Sequence, residues 1–205
     1  MSITVMKGIF FLKMHLDQNN YIRILHNLPK LPDSVVDELI FQSECEDKNM
    51  LVARNSSEEI HTGYENKRVF GQPLKWLATN IDPLFKIICV RNNWRLIRFV
   101  IDKNSSTECL PHTDATTKSS LCFILKDGDG INSFYETGPS IATNIKIFPQ
   151  KNNLVKVFDL QMPQKTWYIL RGEKPHSVSN MTSTRILLVR GFAQSLFSFN
   201  SCENK

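Results

Sequence analysis

The residue pattern with the clearest chemical meaning is Pro111-His112-Thr113-Asp114. If this segment is extended, His112 and Asp114 point to the same side, because alternate residues of a strand share a face. An imidazole and a carboxylate aimed at one point can bind a divalent first-row metal such as iron(II), manganese or zinc. The pair alone is weak evidence, because a loop histidine beside a turn-forming aspartate has the same spacing.

A second histidine strengthens the metal hypothesis. His176 lies 64 positions after His112, and Arg185 follows it nine residues later, at the start of an apolar run. An arginine at the start of a buried strand needs an anionic partner, because a lone buried charge is costly. Two histidines and one carboxylate leave three metal positions open. The combination predicts a metal site that shares a small anionic co-substrate with Arg185.

The elements that must position these residues begin with a mixed N-terminal part. Residues 34–44 carry apolar side chains on one face after Pro32-Asp33, which predicts a helix, and a second helix is predicted over 73–81. Residues 21–25 alternate like a short strand. Residues 47–70 are polar and irregular, and they predict a long loop.

The remainder of the chain has the pattern of strands. Apolar or alternating runs, broken by glycine and proline, occupy 85–90, 94–101, 120–125, 131–136, 154–160, 166–170, 177–178 and 185–192. Short strands at this interval predict a β-sandwich or barrel-like core. We therefore expect an α+β, mainly β, single domain over residues 1–205. A helix-and-strand layer (1–90) would flank a core (91–195) that carries the metal site.

Composition excludes several classes of protein. Of the 205 residues, 41% are hydrophobic and 22% charged, which fits neither a disordered chain nor a membrane bundle. The net charge of +5 comes entirely from residues 131–205 and is too small to indicate a nucleic-acid partner. Five cysteines without a CxxC pair argue against a disulfide framework. With no signal peptide or membrane segment in the sequence, we expect a cytoplasmic protein with reduced thiols and no membrane partner.

The ordered set His112-x-Asp114, His176-Ser177-Val178 and Arg185 resembles the 2-oxoglutarate- and iron(II)-dependent oxygenases. It is most similar to the prolyl-hydroxylase-like branch with its phage and bacterial relatives. The resemblance covers about residues 94–193. It implies a double-stranded β-helix, the jelly-roll or cupin-like fold, with flanking N-terminal helices.

The same resemblance implies the roles of the site residues. His112, Asp114 and His176 would bind iron(II), Arg185 would hold the distal carboxylate of the co-substrate 2-oxoglutarate, and O2 would take the last metal position. The expected reaction is hydroxylation of a small molecule or a protein side chain, with release of succinate and CO2. Members of this branch often carry a tyrosine on the strand after His-x-Asp. Here that strand has no tyrosine, and either Ser120 or Cys122 could point inward instead.

Four further residues are candidates for the site. Asn180 could orient His176 or simply form a turn. Tyr135 and Trp167 could line the substrate pocket, although a place in the core is the more common fate of such side chains. Arg98 could reach a substrate carboxylate or face solvent. Residues 47–70 and 136–153 are candidate substrate loops because of their length and polarity.

Two other functions fit parts of the pattern. The basic C-terminal half favours an oxidative nucleic-acid demethylase built on the same core. Two features argue against it: such enzymes carry the arginine much further beyond the distal histidine, and the sequence has no dense basic patch with aromatics. A jelly-roll binding protein without metal chemistry is the third reading, since a fold does not fix a function.

Overall fold

The computed structural model describes residues 19–45, 64–85, 93–100, 109–114, 117–137 and 154–198. Its helices are α1 (Asp33–Glu44) and α2 (Gly71–Asn80), with 3-10 turns at Asp82–Phe85 and Leu196–Ser198. Its strands are β1 (Ile22–Leu25), β2 (Tyr64–Arg68), β3 (Arg95–Phe99), β4 (Cys109–His112), β5 (Ser119–Lys126), β6 (Ile131–Thr137), β7 (Leu154–Gln161), β8 (Trp167–Arg171), β9 (His176–Ser179) and β10 (Arg185–Phe192).

The strands form two antiparallel sheets. Within the described ranges, the major sheet has six strands in the order β1-β8-β5-β10-β3-β2, and the minor sheet has four in the order β4-β9-β6-β7. Neighbours within a sheet are mostly distant in sequence: β5, for example, lies between β8 and β10. The mainly β core with flanking helices, expected from the spacing of the short strands, is confirmed.

The two faces of the major sheet pack against different partners. One face buries Leu96, Phe123 and Leu188 against the helices, and we call this the helix-side core. The other face buries Cys122 and Leu187 against the minor sheet. The alternation along each strand produces this division, because successive side chains point to opposite faces.

The N-terminal part of the chain completes the major sheet at both edges. β1 pairs with β8, and β2 pairs with β3. Both predicted helices are confirmed within two residues. The expected loop over 47–70 is wrong for Tyr64–Arg68, which forms β2. Among the described strands β2 pairs only with β3, at the edge of the sheet, and its polar sequence carries little hydrophobic pattern.

Some predicted features lie outside the described residues. Of the strand expected over 85–90, Phe85 belongs to a 3-10 turn and the rest is outside the described ranges. The same holds for residues 46–63 and 138–153, which include most of the two candidate substrate loops. In the part of the chain that the structure describes, no helix is long and apolar enough to cross a membrane. The organisation as one domain over 1–205 stays a prediction.

A buried lysine ties α1 to β2. The Lys67 side chain is 4% exposed and lies 3.4 Å from the Glu65 carboxylate. Its ammonium donates to the Ser43 carbonyl at 2.6 Å and also to the Cys45 carbonyl. These carbonyls belong to the C-terminal end of α1, where backbone acceptors lack intrahelical donors. Lys67 therefore acts as a C-terminal cap supplied by the neighbouring strand.

Replacing Lys67 with methionine is expected to lower the free energy of unfolding by about 1–3 kcal/mol, because buried carbonyls lose their donor. Urea unfolding of wild type and K67M would measure the difference. Lys165→Met is the matched control: Lys165 forms an exposed ion pair with Asp33 at 2.9 Å, and its loss should have little effect. Equal stability of K67M and K165M would contradict the capping role.

Candidate metal centre and cavity

The structure brings the three candidate metal ligands together. His112 ends β4 directly opposite His176 at the start of β9, and the two ring centroids are 4.5 Å apart. Asp114 follows in the segment after β4. One ligand atom from each of the three side chains lies within 4.8 Å of the others. This spacing allows all three to contact a single ion.

Both histidine rings are oriented by backbone carbonyls. His112 Nδ1 lies 2.8 Å from the Leu110 carbonyl, and His176 Nδ1 lies 2.9 Å from the Lys174 carbonyl. Since a carbonyl can only accept, each Nδ1 carries the proton and donates it. The Nε2 lone pair of each ring is then available for a metal, as in many metal sites with histidine ligands.

Charged and polarisable neighbours affect the protonation of His112. Burial favours the neutral ring and the nearby His176 acts in the same direction. The Cys109 thiol and the Asp114 carboxylate oppose them, and the pKa of His112 is raised. The Cys109 Sγ lies 3.6 Å from His112 Nδ1. The described cysteines Cys45, Cys109 and Cys122 are free thiols.

Gly172 makes room for Asp114. The Asp114 N–H donates to the Gly172 carbonyl at 2.7 Å, and Ser120 Oγ donates to Asp114 Oδ2 at 3.5 Å. A Cβ atom on Gly172 would lie 2.4 Å from the Thr117 carbonyl oxygen and 2.7 Å from Asp114 Oδ2. Only glycine fits here without a shift of the carboxylate. Sequence reasoning treated Gly172 as a break between strands and missed this role.

A cavity of about 140 Å³ lies between the candidate ligands and the inner face of the major sheet. It is much larger than the roughly 10–15 Å³ that one water needs. Its major-sheet wall includes Ile97 and Phe99 on β3, Cys122 on β5, Tyr168 on β8 and Leu187 on β10. Mostly apolar walls with a few convergent polar groups are typical of small-molecule sites.

Arg185 lies beside this cavity and is 0% exposed. Its guanidinium donates to Asn132 Oδ1 at 3.1 Å and to the Gly130 carbonyl at 3.4 Å, and it lies 3.7 Å from the Asp127 carboxylate. Burial raises the pKa of Asp127, although Arg185 acts against this shift. Within the described residues the buried Nε of Arg185 has no hydrogen-bond partner. The guanidinium is therefore only partly satisfied.

Tyr168 connects Arg185 to the cavity. It lines the cavity and is 3% exposed, with its hydroxyl within hydrogen-bonding reach of Arg185 and Cys122. Burial raises the pKa of Tyr168 well above its ordinary value, so the hydroxyl stays protonated and can donate. Burial also raises the pKa of Cys122 to about 12, which keeps that thiol neutral.

Sequence reasoning considered the strand after Asp114 and did not single out Tyr168. Cys122 on β5 pairs directly with Tyr168 on β8, so the two side chains lie next to each other on the same face. A hydroxyl on the neighbouring strand can thus occupy the space expected for a tyrosine on β5. Ser120 and Cys122, the substitutes expected from the sequence, both line the cavity. The sequence signal that could have indicated Tyr168 is its position directly after Trp167, a candidate for the pocket.

Two of the further candidates lie on the other face of the major sheet. Arg98 forms an ion pair with Glu65 at 3.1 Å and does not line the cavity. Trp167 belongs to the helix-side core, and its indole nitrogen donates to the Pro29 carbonyl at 2.9 Å. Neither side chain is brought to the candidate ligands.

The other two candidates lie near His176 but outside the cavity. The Tyr135 hydroxyl is 3.0 Å from Ser177 Oγ, and Ser177 itself lines the cavity. Asn180 follows β9 with a left-handed φ of 58°. Asparagine tolerates that conformation better than most residues, which fits the turn role.

Three solved structures share the fold over most of both chains. The first is a prolyl hydroxylase in complex with a hypoxia-inducible-factor peptide from Trichoplax adhaerens, with 15% identity, a TM-score of 0.53 and coverage of 94% of this chain and 93% of that one. The second is SnoN, a non-heme α-ketoglutarate-dependent epimerase from nogalamycin biosynthesis, with 13% identity, a TM-score of 0.57 and coverage of 90% and 84%. The third is HygX from Streptomyces hygroscopicus with nickel and 2-oxoglutarate bound, with 9% identity, a TM-score of 0.54 and coverage of 90% and 87%.

The chain matches no protein-family model and no curated protein sequence. The likeness is therefore one of fold, at identities of 9–15% in the three structures named. It confirms the double-stranded β-helix expected from the ordered motifs.

Gly172→Ala is expected to weaken metal binding by about 10–100-fold, because the added methyl group displaces Asp114. Calorimetric titration of the metal-free protein with zinc(II) or cobalt(II) would measure the affinity. Gly71→Ala is the control: its φ of 66° strains alanine, but no atom lies within 4 Å of the new Cβ. G71A should lose about 1 kcal/mol of stability and keep its metal affinity. Wild-type metal affinity in folded G172A would refute the proposed role of Gly172.

Proposed function

We propose that this protein is an iron(II)- and 2-oxoglutarate-dependent oxygenase. It would hydroxylate a small molecule or a protein side chain and release succinate and CO2. One observation carries the proposal: two oriented imidazoles and a carboxylate meet in the cavity that also holds Tyr168, with the buried Arg185 directly behind it.

The donor set fits a non-heme iron(II) ion. His112 and His176 each offer an Nε2 lone pair, and Asp114 offers a carboxylate oxygen. Two histidines and one carboxylate are the ligand set of non-heme iron(II) oxygenases, and they leave positions for a chelating co-substrate and O2. When bound, iron and 2-oxoglutarate supply the oxidising chemistry, while the protein supplies binding and orientation.

Arg185 and Tyr168 fit the distal carboxylate of 2-oxoglutarate. The unpartnered buried Nε of Arg185 and the protonated hydroxyl of Tyr168 are both donors that a carboxylate would satisfy. Because Tyr168 lines the cavity and Arg185 lies behind it, Tyr168 would make the first contact. The apolar side chains of Ile97, Phe99 and Leu187 would keep water from the reacting groups.

The comparisons support the class but do not select a substrate. One of the similar structures is in complex with a hypoxia-inducible-factor peptide, another is an epimerase from nogalamycin biosynthesis, and a third has nickel and 2-oxoglutarate bound. One fold therefore serves a peptide and a small molecule. A cytoplasmic site of action, where thiols stay reduced, fits the free cysteines.

The test is an anaerobic titration of metal-free protein with iron(II) and then 2-oxoglutarate, followed through the visible charge-transfer band of the iron chelate. Wild type should develop the band. His112→Ala should lack it, because the chelate loses a ligand, and Arg185→Gln should need at least about tenfold more 2-oxoglutarate, because a charged hydrogen bond is lost. His26→Ala, an exposed histidine away from the cavity, is the control and should behave as wild type.

The absence of the band in folded wild-type protein, with no iron retained, would refute the oxygenase assignment. A jelly-roll binding protein without metal chemistry would then be the best explanation of the fold. A band of full intensity in His112→Ala would refute the assignment of that ligand while leaving the class intact.

Tyr168→Phe is expected to raise the 2-oxoglutarate concentration at half-saturation of the same band by roughly five- to tenfold, because a buried donor to the carboxylate is lost. Iron binding measured without 2-oxoglutarate should not change. Tyr135→Phe removes a hydroxyl of similar burial that does not line the cavity, so it serves as the control. If both variants bind 2-oxoglutarate as tightly as wild type, Tyr168 has no part in holding it.

A further inference from the structure

A second arginine faces the cavity from β3. Arg95 lines the cavity together with Ile97 and Phe99, the alternate residues of the same strand. Leu96, between them, belongs to the helix-side core. Arg95 pairs directly with Val189 of β10, which also lines the cavity. The strand alternation and the lining residues thus agree that the Arg95 side chain belongs to the cavity wall.

Arg95 and Arg185 lie at different ends of the paired strands β3 and β10. Arg185 pairs with Phe99, and Arg95 precedes Phe99 by four residues on β3. At about 3.4 Å per residue, the two arginine positions differ by roughly 14 Å along the strands. Asp114 is 3.5 Å from Ser120, which pairs with Gly191 beyond Val189. Arg95 therefore lies at the end that holds Asp114, away from the Arg185 end.

Arg95 is the positively charged side chain of the cavity wall at this end. Among the described residues that line the cavity, Arg95 is the only arginine or lysine and Asp114 is the only acidic residue. Arg68 of β2 pairs directly with Arg95, so these two like charges occupy the same face of neighbouring strands. The carboxylate of Asp114 is a candidate metal ligand, so a substrate anion at this end of the cavity would meet positive rather than negative side chains.

We propose that Arg95 binds an anionic group, a carboxylate or a phosphate, of the primary substrate. The apolar part of the substrate would pack on Ile97 and Val189, with its reacting atom directed toward the metal centre. A guanidinium suits this role because its planar fork pairs bidentately with either group. The proposal rests on the proposed function for the assignment of Arg185 and Tyr168 to the co-substrate.

Matched aromatic probes test the charge preference. Calorimetry on the full chain loaded with zinc(II) and 2-oxoglutarate would compare benzoate, phenyl phosphate and the neutral benzamide. At least one of the two anions should bind wild type about tenfold or more tightly than benzamide, and the better anion identifies the group. Arg95→Gln should remove the preference, whereas Arg95→Lys should keep part of it. Arg98→Gln, on the same strand but the opposite face, should keep all of it.

A second titration separates this inference from the proposed function. The 2-oxoglutarate charge-transfer band of Arg95→Gln should form at the wild-type concentration. A large increase in that concentration would assign Arg95 to the co-substrate and overturn the inference. Equal binding of all three probes to wild type, or no binding of either anion, would also overturn it while the band remained. If wild-type protein formed no band but still preferred an anionic probe, the proposed function would be refuted and this inference would stand.

Discussion

The pairing of β4 with β9 places His112 directly opposite His176, and the rest of the candidate site is arranged around these two rings. Cross-strand neighbours in an antiparallel sheet lie about 4.5–5.5 Å apart, which suits two ligands of one ion. Within the described residues β4 is an edge strand that pairs only with β9. The position of His112 therefore depends on this single pairing, and that of Asp114 depends on the space left by Gly172.

The buried charge of Arg185 is the second constraint. The turn that joins β5 to β6 is built closely around it: a Cβ on Gly130 would lie 2.5 Å from the Arg185 guanidinium, and Gly128 has a left-handed φ of 65°. The same turn supplies the Gly130 carbonyl and Asp127 as partners. A carboxylate bound beside Tyr168 would complete this network. Binding of such a ligand should therefore also stabilise the packing between the two sheets.

The proximity of His112 to Asp114 and the strand that begins at Arg185 could be predicted because their signals are local. His112 and Asp114 are two residues apart, and the apolar run after Arg185 defines its strand without knowledge of the partners. Tyr168 could not be found in the same way. Its neighbour Trp167 is a pocket candidate from the sequence, with a place in the core as the more common fate; alternation puts Trp167 in the helix-side core and Tyr168 in the cavity. The pairing of β8 with β5 decides whether the Trp167 or the Tyr168 side chain points toward the candidate ligands. Sequence periodicity does not reveal that pairing.

The two faces of the major sheet have different roles: one packs into the helix-side core and stabilises the fold, and the other lines the cavity. On β5, Leu121 and Phe123 pack into the helix-side core, whereas Ser120 and Cys122 line the cavity. The cavity face carries polar and charged groups whose burial costs free energy when no ligand satisfies them. The apolar packing on the helix side has to offset that cost. A one-residue change of register would exchange the two sets, so the helix-side core selects the register that also assembles the site.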